Sequence, residues 1–204
     1  KSIEDLRNCP NIEEHLNNVQ MIGLEYYEDL QLRIPREEIV SHEKYLKQVY
    51  KLCDIPKGSV HFTIAGSYRR GKVYSGDIDI LFTSKNKKKY DDFIDKLKEM
   101  NYLVEDLARG PKKYNGICKY GNSPCRRIDI MYTKPQEYPF AILYFTGSME
   151  FNTKMRANLL EQGLSLNEYS LKDNETKKPV DHKFVKEEDI FEYLNMGYVH
   201  PCDR

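Results

Sequence analysis

Asp77 and Asp79 stand two apart at the head of the run Ile78-Asp79-Ile80-Leu81-Phe82, whose apolar, β-prone residues predict a strand. Side chains alternate along a strand, so both carboxylates leave one face while Ile78, Ile80 and Phe82 leave the other. Two carboxylates on one face repel each other unless a cation sits between them, and hard oxygen ligands of this kind suit Mg²⁺. A third acid, Asp129, lies in a second strand-like run, Cys125-Arg126-Arg127-Ile128-Asp129-Ile130-Met131-Tyr132, on the face opposite Ile128 and Ile130. Three carboxylates can hold two divalent ions roughly 3.5–4 Å apart, which clamp the attacking and leaving oxygens of a phosphoryl transfer. Upstream, Gly66-Ser67-Tyr68-Arg69-Arg70-Gly71 follows an apolar stretch over 60–65. A turn there offers backbone N–H groups, a hydroxyl and two arginines to a phosphate. Taken alone, D-x-D reads as an edge strand with solvated carboxylates, and R-R-I-D as a surface ion pair. Phosphate grip and metal grip in one chain point instead to nucleotidyl transfer.

These side chains need a sheet to hold them. Residues 12–32 read as helical, broken by Gly23, and Pro35 opens a helix running to about Leu52. A strand over 60–65 leads into the basic turn and the D-I-D strand. Lys88 to Met100 has helical periodicity, with Tyr90, Phe93, Ile94, Leu97 and Met100 on one face. Strand-like runs near 103–107 and 116–119 precede the R-R-I-D strand. From Gln136 two short helices meet at Gly147-Ser148, followed by a strand near 166–171 and a helix near 187–196. The pattern is α+β: a nucleotidyltransferase palm of mixed β-sheet with helices on one side, then a small α+β C-terminal lobe.

Composition narrows the class further. Lys+Arg and Asp+Glu both total 32, so the net charge is +0. That balance does not suit a protein gripping duplex by charge alone, although Lys85-Asn86-Lys87-Lys88-Lys89 and Lys112-Lys113 are local basic runs that either meet phosphates or form solvated loops. Five dispersed cysteines without a C-x-x-C pair read as reduced thiols of an intracellular protein, and the five histidines show no metal-ligand spacing. No apolar run approaches the ~18 residues of a membrane span, and no signal peptide is visible.

At the residues quoted the chain resembles the X-family DNA polymerases, the DNA polymerase beta type in particular. The likeness extends through Leu32-Arg33-Ile34-Pro35-Arg36-Glu37-Glu38, Leu143-Tyr144-Phe145-Thr146-Gly147-Ser148, Phe151-Asn152-Thr153-Lys154-Met155-Arg156-Ala157 and Asn167-Glu168-Tyr169 to Asp189-Ile190-Phe191. It implies a remnant of a helical DNA-binding subdomain at 1–20, a catalytic palm at 21–134 and a nucleotide-selection subdomain at 135–204. The family's N-terminal lyase domain and most of its DNA clamp have no counterpart here. With no initiating Met, a fragment is expected rather than a minimal enzyme.

The resemblance also assigns roles. Asp77 and Asp79 bind both metals, and Asp129 binds the catalytic one and receives the primer 3′ hydroxyl. The metals are two Mg²⁺ ions, with Mn²⁺ as a substitute. Arg33, Gly66, Ser67, Arg70, Ser75 and Gly76 contact the triphosphate. Arg127 steadies Asp129 and the primer terminus. Tyr144 and Phe145 flank the incoming sugar, leaving little room for a 2′ hydroxyl, and Gly147 carries the family's cis peptide. Asn152 reads the incoming base and Arg156 the template strand on the minor-groove side, where acceptors are much alike for every correct pair.

Three positions depart from the pattern. Met131 replaces an arginine that switches between a metal-binding Asp and the pair Glu168 and Tyr169. Met149 replaces an Asp beside the incoming base, and Thr153 a Lys near the template. The implied activity is template-directed gap filling in DNA repair by a monomer acting on gapped or primed DNA and dNTP, with repair proteins as further partners. A nuclear location is implied for a eukaryotic source, with a mitochondrion or a viral factory as alternatives. The competing functions are template-independent terminal transfer, against which the absence of Trp weighs because those relatives tend to have Gly-Trp at Tyr144-Phe145, and a catalytically weak scaffold.

Overall fold

The computed structural model describes residues 2–53 and 60–204. Four short helices open the chain: α1 (Ile3–Arg7), α2 (Ile12–His15), α3 (Asn18–Glu25) and α4 (Tyr27–Gln31). The break expected at Gly23 falls elsewhere, because Gly23 lies inside α3. Asn17 starts that helix with a capping box: its side chain accepts from the Gln20 N–H while the Gln20 side chain accepts from the Asn17 N–H, both at 2.9 Å. A two-residue strand β1 (Ile34–Pro35) then leads into α5 (Arg36–Leu52), with Pro35 as its N-cap.

The palm follows as β2 (Val60–Ile64), a single helical turn α6 (Gly66–Arg69), β3 (Tyr74–Ser75), β4 (Ile78–Ser84), α7 (Lys87–Glu99), β5 (Leu103–Arg109), β6 (Lys113–Cys118) and β7 (Arg126–Thr133). Five strands form one sheet in the order β2-β4-β7-β6-β5. Only β4 and β7 run parallel, and their register sets Asp79 beside Asp129. β1 and β3 form a separate ribbon that pairs Ile34 with Ser75. Strand β6 begins three residues earlier than the sequence pattern predicts, and this adds Lys113 and Asn115 to the sheet.

The two faces of the sheet are used differently. On one, Ile78, Ile80, Phe82, Ile128 and Ile130 pack under α5 (Ile39, Leu46, Val49) and α7 (Tyr90, Phe93, Ile94, Leu97). This is the helical side that the apolar alternation requires. The opposite face is covered only at its ends: Leu81 and Met131 lie under Ala141 and Ile142, whereas Ile117 and Cys125 lie under Ile22 with Tyr26 and Leu30. Between these two covers the face is bare, and every carboxylate of interest sits there.

The C-terminal lobe comprises α8 (Tyr138–Thr146), α9 (Met149–Glu161), β8 (Leu164–Leu166), β9 (Leu171–Asp173) and α10 (Glu188–Tyr193). A single strand near 166–171 does not form. Asn167 instead makes a turn, its side chain accepting from the N–H groups of Tyr169 and Ser170 at 2.9 and 3.0 Å, and β8 and β9 become a hairpin. Phe140, Leu143, Met155, Leu159, Leu171, Ile190 and Phe191 form this lobe's own core. It is fastened to the palm by Glu187, which is 3% exposed. Its carboxylate accepts from Arg69 at 2.8 Å and from Arg204 at 2.5 Å. Among the described residues no helix is long and apolar enough to cross a membrane.

Candidate active site

Asp129 leaves β7 on the bare face beside Asp79, while Asp77 reaches the same place from the residue before β4. One carboxylate oxygen from each of the three lies within 4.8 Å of the others. Burial and the two neighbouring carboxylates push Asp79 up to about 8, and burial raises Asp129 as well. A cluster that resists its own ionisation has the donor set and the unbalanced charge that a hard divalent cation satisfies. Arg127 compensates part of that charge through an ion pair with Asp77.

The wall of the cleft that carries the glycine-serine turn is built by α6. Gly66 has φ +52°, and a Cβ there would stand 1.9 Å from Oδ2 of Asp79, so only glycine lets the turn pass over the carboxylate. The Ala65 N–H donates to the Asp79 carbonyl at 2.9 Å and fixes the turn to β4. Arg70 donates from Nη1 to the Thr146 carbonyl at 2.5 Å, whereas its Nε is buried with no partner among the described residues. An unpartnered guanidinium N–H beside a carboxylate cluster fits an anionic ligand. Arg33 completes this side: its Nη1 would lie 3.4 Å from a Cβ on Gly76.

The cleft enclosed by these groups has a volume of about 800 Å³. Every residue given a catalytic, metal, nucleotide or primer–template role in the sequence lines it except Ser75. Ser75 is 1% exposed and belongs to the β1–β3 ribbon, where it pairs with Ile34 next to the cleft residue Gly76. The far wall comes from the C-terminal lobe. The Gly147-Ser148 peptide is cis, Ser148 caps α9 by accepting from the Phe151 N–H at 3.3 Å, and Asn152 donates to the Tyr144 carbonyl at 2.8 Å. The Tyr144 ring is flanked by Lys113 and Arg156, at 5.4 and 5.0 Å from its centroid.

Asn115 escaped the sequence reading, and Lys113, read there only as part of a basic run, also lines the cleft. Lys113 is the cross-strand partner of Met131, and it reaches Glu168 at 3.7 Å, with Arg156 at 3.9 Å from the same carboxylate. Met131 itself is 1% exposed under α8. Glu168 therefore has two cations from elsewhere in the fold. Of the basic runs, Lys87 and Lys88 are held in i,i+4 ion pairs with Asp91 and Asp92 at 2.8 and 2.6 Å, a solvated helix face.

A mixed sheet that bares three carboxylates on one face, beside a glycine-serine turn and an arginine whose Nε has no partner among the described residues, defines a nucleotidyltransferase palm. Residues 33–135 match the family model described as DNA polymerase beta palm, and residues 141–204 match the one described as DNA polymerase beta thumb. The chain belongs to this family, the X-family DNA polymerases. Its whole length aligns at 31% identity with DNA polymerase lambda of Rattus norvegicus and at 30% with that of Arabidopsis thaliana, covering 38% and 42% of those proteins. DNA nucleotidylexotransferase of Xenopus laevis is 28% identical and is covered over 47% of its length. The chain thus spans less than half of each of these curated relatives.

Proposed function

We propose that this chain is a template-directed DNA polymerase that transfers the nucleotidyl group of a dNTP to the primer 3′ hydroxyl in short gaps during DNA repair, breaking the bond between the α- and β-phosphates and releasing pyrophosphate. The observation that carries this reading is the cluster of Asp77, Asp79 and Asp129 in one cleft with the unpartnered Nε of Arg70. The triphosphate lies along Arg33, Ser67, Arg70 and Gly76, where arginine forks meet the charge that spreads over phosphate oxygens as the bond breaks. Two Mg²⁺ ions, for which Mn²⁺ substitutes, supply Lewis-acid stabilisation of the attacking and leaving oxygens when bound. Asp77 and Asp79 hold the nucleotide side of this pair. Asp129 faces the primer hydroxyl and takes its proton or orients it for removal. Tyr144 and Phe145 crowd the sugar and favour deoxynucleotides, while Asn152 and Arg156 check the minor-groove edge of the new pair.

The test is primer extension on a one-nucleotide gap, with and without a 5′ phosphate, beside a single-stranded primer that has no template. Addition of the complementary nucleotide, dependent on divalent ions, is expected on the gap and not on the bare primer. Equal addition without a template would replace this reading with terminal transfer. No addition on any substrate would leave a scaffold.

A further inference from the structure

Asn115 lies in β6 directly across from Asp129 in β7, and both side chains enter the bare face of the sheet. Its Nδ2 donates to Oδ1 of Asp129 at 2.7 Å. Tyr114, the preceding residue, points the other way into the palm core and is fully buried. The strand alternation therefore leaves Asn115 no other place than against the carboxylate. The other cleft-facing side chain of β6, Lys113, stands 3.7 Å from Glu168, and its charge also favours the ionised form of Asp129 from a distance.

We infer that Asn115 is a positioning residue for Asp129. A carboxylate turns easily about its last torsion, whose preferences are broad. The amide of Asn115 occupies Oδ1 and fixes the plane of the group, which leaves Oδ2 for a cation and the attacking hydroxyl. Two of the three acids are consequently held by different means: Arg127 pairs directly with Asp77 through a full charge, whereas the direct hydrogen bond to Asp129 comes from the neutral dipole of Asn115. A neutral donor orients the ligand without cancelling the charge that draws a cation. The inference deepens the polymerase reading and rests on it for the role of the hydroxyl, but not for the geometry of cation binding.

The experiment uses the full chain and the variants N115L, N115S and N115H. Mn²⁺ alone is titrated and followed by electron paramagnetic resonance, and kcat and KM for dNTP are measured on gapped DNA. Loss of an outer partner of a metal ligand lowers metal affinity or turnover by about 10–100-fold. N115L is expected to show this loss in Mn²⁺ affinity and in kcat while KM for dNTP stays within a few fold. N115H, which returns an N–H donor at similar reach, should recover most of it. N115S shortens the arm without adding bulk and keeps the question open to measurement should N115L fold poorly. In a D129A background N115L should cause no further loss of Mn²⁺ affinity. Wild-type Mn²⁺ affinity and kcat in folded N115L and N115S, or an equal further loss in the D129A background, would overturn the role. Failure of the polymerase reading would appear separately, as absence of templated addition by the wild-type chain.

Discussion

Gly66 and Asp79 share a space that admits one side chain only. An added methyl at Gly66 would stand 1.9 Å from Oδ2 of Asp79, and φ +52° is itself unfavourable for any residue with a Cβ. Gly66→Ala should therefore displace Asp79 rather than be absorbed by it. Misplacing a catalytic group by ~1 Å can cost on the order of 100-fold, so single-turnover incorporation should fall by at least that factor while circular dichroism stays native. Asp129→Ala tests a different division of labour. It should abolish incorporation yet leave triphosphate binding within a few fold, because the proposed function gives the nucleotide side of the cleft to Asp77, Asp79 and Arg70. Retention of wild-type turnover at saturating Mg²⁺ would show that another group serves the primer hydroxyl.

At the scale of elements, the strands bearing the three aspartates were legible because period-two alternation fixes which face each residue joins. The D-I-D and R-R-I-D runs alternate without interruption, so their acids fall on one face whatever the neighbouring strands do. That Lys113 and Asn115 belong to the sheet was not legible, since Lys112-Lys113-Tyr114-Asn115 carries no apolar alternation of its own. These residues join the sheet because they pair with 129–131 of β7, a partner that local sequence does not reveal. The β8–β9 hairpin was missed for a related reason: the Asn167 side-chain turn interrupts what looks like one strand. Glu187 was equally hidden, because its partners Arg69 and Arg204 lie far away in sequence. Removing one partner from a buried ionic group typically costs about 3–5 kcal/mol. Glu187→Ala should lose stability of that order, read from urea unfolding, because Arg204 is fully buried and would keep its charge unpaired. Its carboxyl is held below the ordinary value despite burial, through hydrogen bonds from Arg69 and Arg204. The stability it contributes is present above the unfolded-state value and disappears as pH falls through the folded one.

For the whole molecule, the carboxylate cluster links stability to both protons and cations. Asp79 ionises at its ordinary value of 3.8 in the unfolded chain but near 8 in the fold, where burial and its two acidic neighbours oppose charge. Between those values the folded state binds more protons, so stability without divalent ions falls as pH rises from about 4 to about 8 and levels off beyond. A cation that binds only the fold reverses this loss by mass action. Mg²⁺ should therefore raise the melting temperature more at pH 8 than at pH 5, measured against chelator-treated protein. An equal rise at both pH values would mean that the ion does not engage this cluster.

The methionines of the cleft differ sharply in their access to solvent. Met149 is 84% exposed on the rim, whereas Met131 is 1% exposed beneath α8. Peroxide converts an accessible thioether to a polar sulfoxide long before a buried one. Mild oxidation should therefore mark Met149 first, as a 16 Da increment on its peptide in mass spectrometry, a standard one-oxygen gain. The kinetic trace of that mark should be a drift in apparent dNTP affinity ahead of any loss in kcat, reversed by a methionine sulfoxide reductase. Ageing in air would then begin at the rim of the cleft, and the aspartates would be the last to register it.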